Sequence, residues 1–168
     1  MRAVVRDSSS QQLGSAMQFI EVPDVKKNRL TLSGIVMGAT LPKSGEGEAT
    51  PITDRARMEG MPAVRIFRTG AVVHYAYKVL NASLDVDKRP QLETQVRLFR
   101  DGKLVYSSRG ESVVADAAQK TKQLILTGQM QLKQIAAGDY TLQLIVEDNL
   151  RHDKYRIATQ AIDFQVRS

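Results

Sequence analysis

The clearest hydrophobic pattern in the chain is a period of two between Tyr140 and Val146. Apolar Tyr140, Leu142, Leu144 and Val146 alternate with mostly polar residues, which is the pattern of a β-strand with one buried and one solvated face. Similar short runs occur through the rest of the chain. They predict strands at 1–7, 14–22, 29–37, 63–67, 71–81, 91–100, 103–107, 111–115, 122–133 and 154–166.

Turn residues and breaks in the alternation refine this series of strands. Asp101 and Gly102 separate two strand runs, and we predict a two-residue hairpin turn there because both residues tolerate positive φ. The segment 39–62 is rich in proline and glycine and predicts a long flexible loop. Residues 116–122 favour a helical or irregular start to the strand that follows. In the last strand the apolar parity shifts after Ile157, which indicates a β-bulge.

Many short strands joined by tight turns are typical of an all-β sandwich. In sandwiches of the immunoglobulin type, a tyrosine near the start of the sixth strand turns its hydroxyl onto the backbone upstream. Gly138 and Tyr140 occupy that place and form the predicted structural corner. We therefore predict an immunoglobulin or fibronectin III-like antiparallel β-sandwich over 24–168, with an extra N-terminal β-hairpin.

The N-terminal hairpin resembles the last hairpin of the chain. Val5, Arg6 and Asp7 match 146–148, and Ala16, Gln18 and Ile20 match alternate residues of 158–162 with one residue of turn-length difference. We interpret residues 1–23 as the end of a preceding sandwich domain. Chance likeness of two amphipathic hairpins is the alternative. In the first case the hairpin would expose an edge and could mediate self-association.

Composition narrows the possible functions. The chain has 168 residues, no cysteine and a formal charge of +6, which excludes disulfides and thiolate metal sites. Its basic residues are spread among carboxylates, with the densest group at 26–29. Nucleic-acid binding needs a clustered basic face and is the weaker interpretation. We predict no membrane-spanning run and no secretory signal in these 168 residues.

Candidate catalytic and metal-binding residues are few. His74 and His152 are predicted to be surface histidines without paired-ligand spacing. Glu46 and Glu48 lack the spacing of a calcium loop, and Ser8–Ser10 lie in a predicted turn. Four carboxylates are expected to gather near the last hairpin, where we interpret them as capping and solubilising groups: Asp139, Glu147, Asp148 and Asp153. We predict no catalytic residue, no metal and no cofactor.

Several segments together resemble a known kind of protein. They are QFIEVPDVKKNRLTLSGIV, VRIFRTGAVVHYAYKVLNA, VRLFRDGKLVY, IAAGDYTLQLIVED and YRIATQAIDFQV. They resemble the C-terminal region of secreted bacterial proteins, frequent in acidobacteria, that carry a von Willebrand factor type A domain upstream. Ala137 stands where such proteins often have proline, and no DxSxS metal motif is present. The resemblance implies an extracytoplasmic module of a longer precursor.

We therefore expect a non-enzymatic accessory module that spaces domains or binds a protein or glycan. Its partners would be other domains of the parent protein. The alternatives are a basic domain that binds nucleic acid or an anionic surface, and a hydrolase whose pocket would hold a histidine and carboxylates. Salt-dependent affinity for DNA or heparin would favour the first alternative.

Overall fold

The computed structural model describes residues 2–10, 12–17, 25–40, 65–113 and 123–168. Within these ranges the chain forms twelve strands and one short 3₁₀ turn, Val25–Lys27, without an α-helix. The strands are β1 (Arg2–Arg6), β2 (Leu13–Met17), β3 (Thr31–Leu32), β4 (Val36–Thr40), β5 (Ile66–Arg68), β6 (Val72–Leu80), β7 (Leu92–Arg100), β8 (Lys103–Ser107), β9 (Glu111–Ser112), β10 (Gln123–Gln131), β11 (Gly138–Asp148) and β12 (Ile157–Arg167). None of the described segments is a helix long and apolar enough to cross a membrane.

Two sheets form the sandwich. In the first, β6 lies between β10 on one side and both β3 and β4 on the other. The second has the order β5-β12-β11-β7-β8, with β9 also paired to β7. This strand order confirms the predicted immunoglobulin or fibronectin III-like sandwich with an extra hairpin, β1–β2.

The inner faces of both sheets share one hydrophobic core. Its most deeply buried side chains come from alternate positions of the long strands, as a period of two requires: Val73, Val79, Leu92, Leu98, Leu124, Leu142, Leu144, Val146 and Val166. The core therefore lies where the alternation of apolar residues places it.

The two strands that flank the segment 41–65 belong to different sheets. β4 pairs antiparallel with β6, whereas β5 pairs parallel with the end of β12. The predicted strand at 29–37 is itself interrupted at Ser33, whose hydroxyl accepts a hydrogen bond from Lys78 N at 2.9 Å. Of the predicted loop 39–62, Ala39 and Thr40 belong to β4, and the rest lies outside the described residues.

The C-terminal strand corrects one prediction. Pairing between β11 and β12 is continuous from Gly138↔Val166 to Glu147↔Ile157, so the predicted bulge in β12 is wrong. The inward positions begin at Ala158, and Ile157 is 44% exposed. Small and polar residues at inward positions concealed the constant parity. The register shift that the structure does show lies between β7 and β8.

The β7–β8 connection is a tight turn. Asp101 has φ 50° and Gly102 has φ 74°, and Arg100 pairs with Lys103 across them. Two successive positive φ values match the right-handed twist of the strands that they join. Farther along, the predicted strand at 111–115 is the short β9, and residues 114–122 lie outside the described ranges.

In both similar hairpins an aspartate side chain accepts a hydrogen bond from the amide two residues later, but the registers of the hairpins differ. At the end of β1, Asp7 Oδ1 accepts a hydrogen bond from Ser9 N at 2.9 Å, and at the end of β11, Asp148 Oδ1 accepts one from Leu150 N at 3.1 Å. Arg6 pairs with Leu13, whereas Glu147 pairs with Ile157. The connections therefore differ by three residues rather than by the single residue expected from the sequence.

Candidate functional site

Tyr140 forms a corner at the start of β11. Its hydroxyl donates a hydrogen bond to Ala136 O at 2.8 Å, four residues upstream. The ring stacks on Phe164 with centroids 5.6 Å apart, and the residue is 4% exposed. Gly138 enters the strand with φ 154°, in the region that favours glycine. This is the upstream backbone contact of a tyrosine corner.

A buried carboxylate joins the two loops at one end of the sandwich. Asp148, at the end of β11, is completely buried. Its Oδ2 accepts a hydrogen bond from Ser83 N at 2.8 Å, and its Oδ1 accepts the one from Leu150 N. The charge is balanced by Arg151, whose Nε lies 3.7 Å from Oδ2. A buried carboxylate with a cation and two backbone donors ties the β6–β7 connection to the β11–β12 connection.

The same arginine binds the residues that lead into β3. We call residues 26–30 the approach segment. Arg151 Nη2 donates hydrogen bonds to Asn28 O at 3.0 Å and to Asn81 O at 3.3 Å. Its Nη1 bonds Asp153 Oδ2 at 3.3 Å. The guanidinium fork therefore joins the approach to β3, the end of β6 and the last turn. We call Asn28, Asn81, Asp148 and Arg151 the junction.

Two further contacts secure the approach segment beside the junction. The Arg29 guanidinium lies over the Tyr155 ring, 4.1 Å from its centroid. Asn81 Nδ2 donates a hydrogen bond to Arg29 O at 3.2 Å. Asn28 and Asn81 both have positive φ, 49° and 61°, a conformation that asparagine accepts more readily than most residues. The direction in which the chain enters β3 is thus fixed by several side chains.

A second feature is a cleft between the sheets, along the side where β10 faces β7, β8 and β9. Its volume is about 1020 Å³. Apolar and aromatic side chains of both sheets form its walls, with hydroxyl, amide and carboxylate groups among them: Tyr75, Tyr77, Thr94, Val96, Leu98, Arg100, Tyr106, Ser108, Glu111, Leu126, Met130, Ile135 and Tyr140. We call it the inter-sheet cleft.

Four tyrosines line the cleft. Burial raises the pKa of Tyr75, with a smaller effect from Glu111, and burial also raises the pKa of Tyr77, so both phenols stay protonated at neutral pH. Gly128 stands opposite Tyr75 in the β6–β10 ladder, and a Cβ there would overlap the tyrosine ring. Tyr106 lies at the cleft with 53% of its surface exposed.

The two histidines have different surroundings. His152 is exposed, as predicted. His74 was predicted to be a surface residue, but it is only 7% exposed, and its Nε2 lies 3.0 Å from Thr40 Oγ1. The prediction was wrong because strand parity identifies the face of a side chain and not what covers that face. Burial lowers the pKa of His74 below its ordinary value of 6.5.

The predicted carboxylate cluster is divided between both ends of β11. Asp139 lies at the start of this strand and accepts a hydrogen bond from Gln165 Nε2 at 3.0 Å. Asp148 lies at the other end, about 30 Å away at the usual rise of a strand. The prediction that Asp139 joins the group was wrong, because β11 is long enough to separate its two ends. Among the described residues, no group of three or more potential metal ligands occurs.

Other predicted positions have structural contacts or lie outside the described ranges. Ser9 and Ser10 both donate hydrogen bonds to the Asp7 carboxylate, and these bonds lower the pKa of Asp7. Glu46 and Glu48 lie outside the described residues. Sequence reasoning missed Arg151, although an aspartate followed three residues later by arginine in a turn was a signal for it. It also missed the cleft, because alternation shows no gap between sheets.

Comparison with known proteins adds no family. No protein-family model and no curated protein matches the chain. Among solved structures, a superoxide reductase (neelaredoxin) from Ignicoccus hospitalis is 9% identical with a TM-score of 0.44, covering 86% of this chain and 88% of that chain. A CARDB domain in complex with di-metal ions from Pyrococcus furiosus is 15% identical with a TM-score of 0.36, covering 83% and 94%. At such scores neither likeness supports a functional assignment, and the fold rests on strand order and register.

Proposed function

We propose that the chain is a non-enzymatic immunoglobulin-like accessory module of a larger secreted bacterial protein, and that it sets the spacing and direction of the domain before it. The observation that supports this most is the pair of hydrogen bonds that Arg151 Nη2 donates to Asn28 O and Asn81 O. Linkers between independent domains ordinarily make few contacts. Here the approach segment is bound by a cation that is itself held against a buried carboxylate.

The physical basis of the spacing role is the loss of backbone freedom at the junction. Each residue that the sandwich fixes near Asn28 removes one pair of soft dihedrals from the link. Arg151 is well suited to this because its planar guanidinium is ordered by Asp148 and Asp153 before it contacts the approach segment. A preceding domain would then keep one direction relative to the sandwich instead of swivelling.

The hairpin supports the identity that we propose for the preceding domain. β1–β2 ends in an aspartate turn like that of β11–β12, which supports its assignment to the end of another sandwich. The bacterial and extracytoplasmic assignment, with a von Willebrand factor type A domain farther upstream, is part of the same proposal. It is supported by the resemblance of the strand segments given above.

Backbone dynamics test the spacing role directly. In the ¹⁵N-labelled chain we expect the amides of 26–30 to show the same heteronuclear relaxation as β6 and β11. Arg151→Ala should give 26–30 fast motion while β6 stays rigid, measured well below the unfolding temperature. Arg156→Ala is the matched control, because its ion pair with Glu147 is on the surface and is made away from the approach segment. A wild-type segment already mobile, or equal behaviour of the two variants, would reject the proposal.

A further inference from the structure

The outward-facing edge of β10 can be read from its backbone hydrogen bonds. Leu132 N donates to Ala71 O at 2.9 Å, and Leu132 O accepts from Gly70 N at 3.1 Å, so the backbone groups of Leu132 point toward β6. Successive residues of a strand point these groups to alternate sides. The N–H and C=O groups of Thr127, Gln129 and Gln131 therefore point away from β6.

The other side of β6 supports this alternation. Lys78 bonds through both its N and O atoms to Ser33, on the side opposite to β10. The backbone groups of even-numbered residues of β6 thus point toward β3 and β4, and those of odd-numbered residues point toward β10. Within the described part of the chain, β10 pairs with β6 alone. Its outer row of backbone donors and acceptors has no strand partner there.

This row borders the inter-sheet cleft. Every residue from Leu126 to Gln131 lines it, a run of about 20 Å at the usual strand rise. The side chains of Thr127 and Gln129 are on the outer face of the sheet. These two residues therefore line the cleft with their backbone groups. Leu126 and Met130 face inward but are only half-buried, and Gly128 adds no side chain between them.

A buried phenol and two opposite charges also line the cleft. Tyr77 is 6% exposed and lies in the wall of the cleft. The two ends of the cleft differ in charge: Arg100 lies at one end of β7, and Glu111 pairs with Thr94 near the other. The cleft therefore combines a strand edge that has no strand partner among the described residues, apolar walls and opposite charges about 20 Å apart.

We propose that this cleft binds an extended peptide segment of a protein partner, which adds to the sandwich as a strand beside β10. Backbone hydrogen bonds to Thr127, Gln129 and Gln131 would provide the affinity, and apolar side chains at alternate positions would enter the cleft. In the antiparallel direction, the segment carries an acidic residue near its N-terminal end for Arg100 and a basic residue near its C-terminal end for Glu111. This interaction goes beyond the spacing role and uses none of the junction residues.

The probe is the peptide Asp-Thr-Val-Thr-Val-Thr-Lys, acetylated and amidated, titrated into the ¹⁵N-labelled chain; its Asp and Lys share the cleft-facing parity of the valines. Saturable shifts are expected at the amides of 126–131, with smaller changes in the hairpin β1–β2. Exchanging the terminal Asp and Lys should weaken binding several-fold. No shift at millimolar peptide would overturn the proposal. Concentration-dependent shifts of 126–131 without peptide would identify a second copy as the occupant and overturn it equally.

Methylation of the peptide backbone gives the sharpest test and needs no protein variant. A residue paired with Gln129 has its amide toward β10 and its side chain on the outer face, so the threonines face β10 with their N–H groups. N-methylation of the three threonines should abolish binding, whereas N-methylation of the two valines should preserve it. Equal effects of the two modifications would overturn strand addition.

A matched pair of protein variants isolates the same backbone donor. Gln129→Pro removes one outward N–H without removing a bond to β6, since proline is tolerated on edge strands. We expect binding about fivefold weaker, the usual worth of one hydrogen bond. Gln129→Ala keeps the N–H and should bind within twofold of the wild type. Loss of binding in Gln129→Ala, or full binding in Gln129→Pro, would contradict the proposed pairing.

Discussion

The hydroxyl of Tyr140 offers a quantitative test of the fold. Tyr140→Phe removes the hydrogen bond to Ala136 O and leaves the ring on Phe164 unchanged. A typical intramolecular hydrogen bond contributes about 1 kcal/mol to the free energy of unfolding, and more when its loss leaves a buried group without a partner. Ala136 is exposed, so water can reach the region of its carbonyl. We therefore expect a loss of about 1 kcal/mol.

The aromatic ring should contribute more than the hydroxyl. Tyr140→Ala also removes the stack on Phe164, at 5.6 Å between centroids, and leaves a void where a residue is now 4% exposed. Truncation of a buried aromatic side chain costs about 3–5 kcal/mol. The difference between the two variants separates the corner hydrogen bond from core packing.

Urea unfolding, with thermal unfolding as a second measurement, provides the assay. For a chain of this size, Tyr140→Phe should lower the unfolding temperature by about 2–4 °C per kcal/mol. Tyr106→Phe is the matched control, because Tyr106 is 53% exposed and an exposed substitution changes stability by less than about 0.5 kcal/mol. If both phenylalanine variants unfold at the same urea concentration, the corner hydrogen bond does not stabilise the sandwich.

Two further predictions concern the faces of the first sheet. Burial lowers the pKa of His74 below 6.5, so the unfolded chain binds the proton more tightly and stability should fall as the pH drops below about 6.5. The urea midpoint should fall less at low pH in His74→Gln than in the wild type. His152→Gln, the control at an exposed site, should lose as much stability at low pH as the wild type. Gly128→Ala should destabilise by about 1–3 kcal/mol because its Cβ would overlap the Tyr75 ring. Gly38→Ala should be nearly neutral because nothing lies within 4 Å of its Cβ, and equal unfolding temperatures for these two variants would contradict the packing described.

The sequence predicted the sandwich because most strands bury one face. In β6, β10 and β11 the alternation of apolar residues is strong, and the observed bounds lie within a few residues of those expected. The prediction failed where inward residues are small or polar. Ala158 and Gln160 hid the constant parity of β12, and Ser33 interrupted the first strand through a side-chain hydrogen bond that no periodicity reveals.

The candidate sites were less accessible from the sequence because both depend on contacts between distant segments. Asp148 was expected to cap a turn, and it does accept the Leu150 amide, but its complete burial follows from Ser83 and Arg151 closing over it. Tyr75 and Tyr77 lie two residues apart in β6 and therefore on one face of the sheet. That this face remains open to a cleft depends on how far β10 lies from β8, and a linear pattern of residues does not contain that separation.

The two proposed roles are compatible because they use different parts of the sandwich. The junction joins the β6–β7 and β11–β12 connections, at the end where Asn81 and Asp148 lie. The cleft runs along the edge of β10 toward Arg100, and Arg100 bonds Ala137 O at the opposite end of β11. A module fixed through one end can therefore present the edge of β10 in a defined direction. Arg151→Ala should then increase the motion of the approach segment without weakening peptide binding. Gln129→Pro should weaken peptide binding without changing the motion of the approach segment.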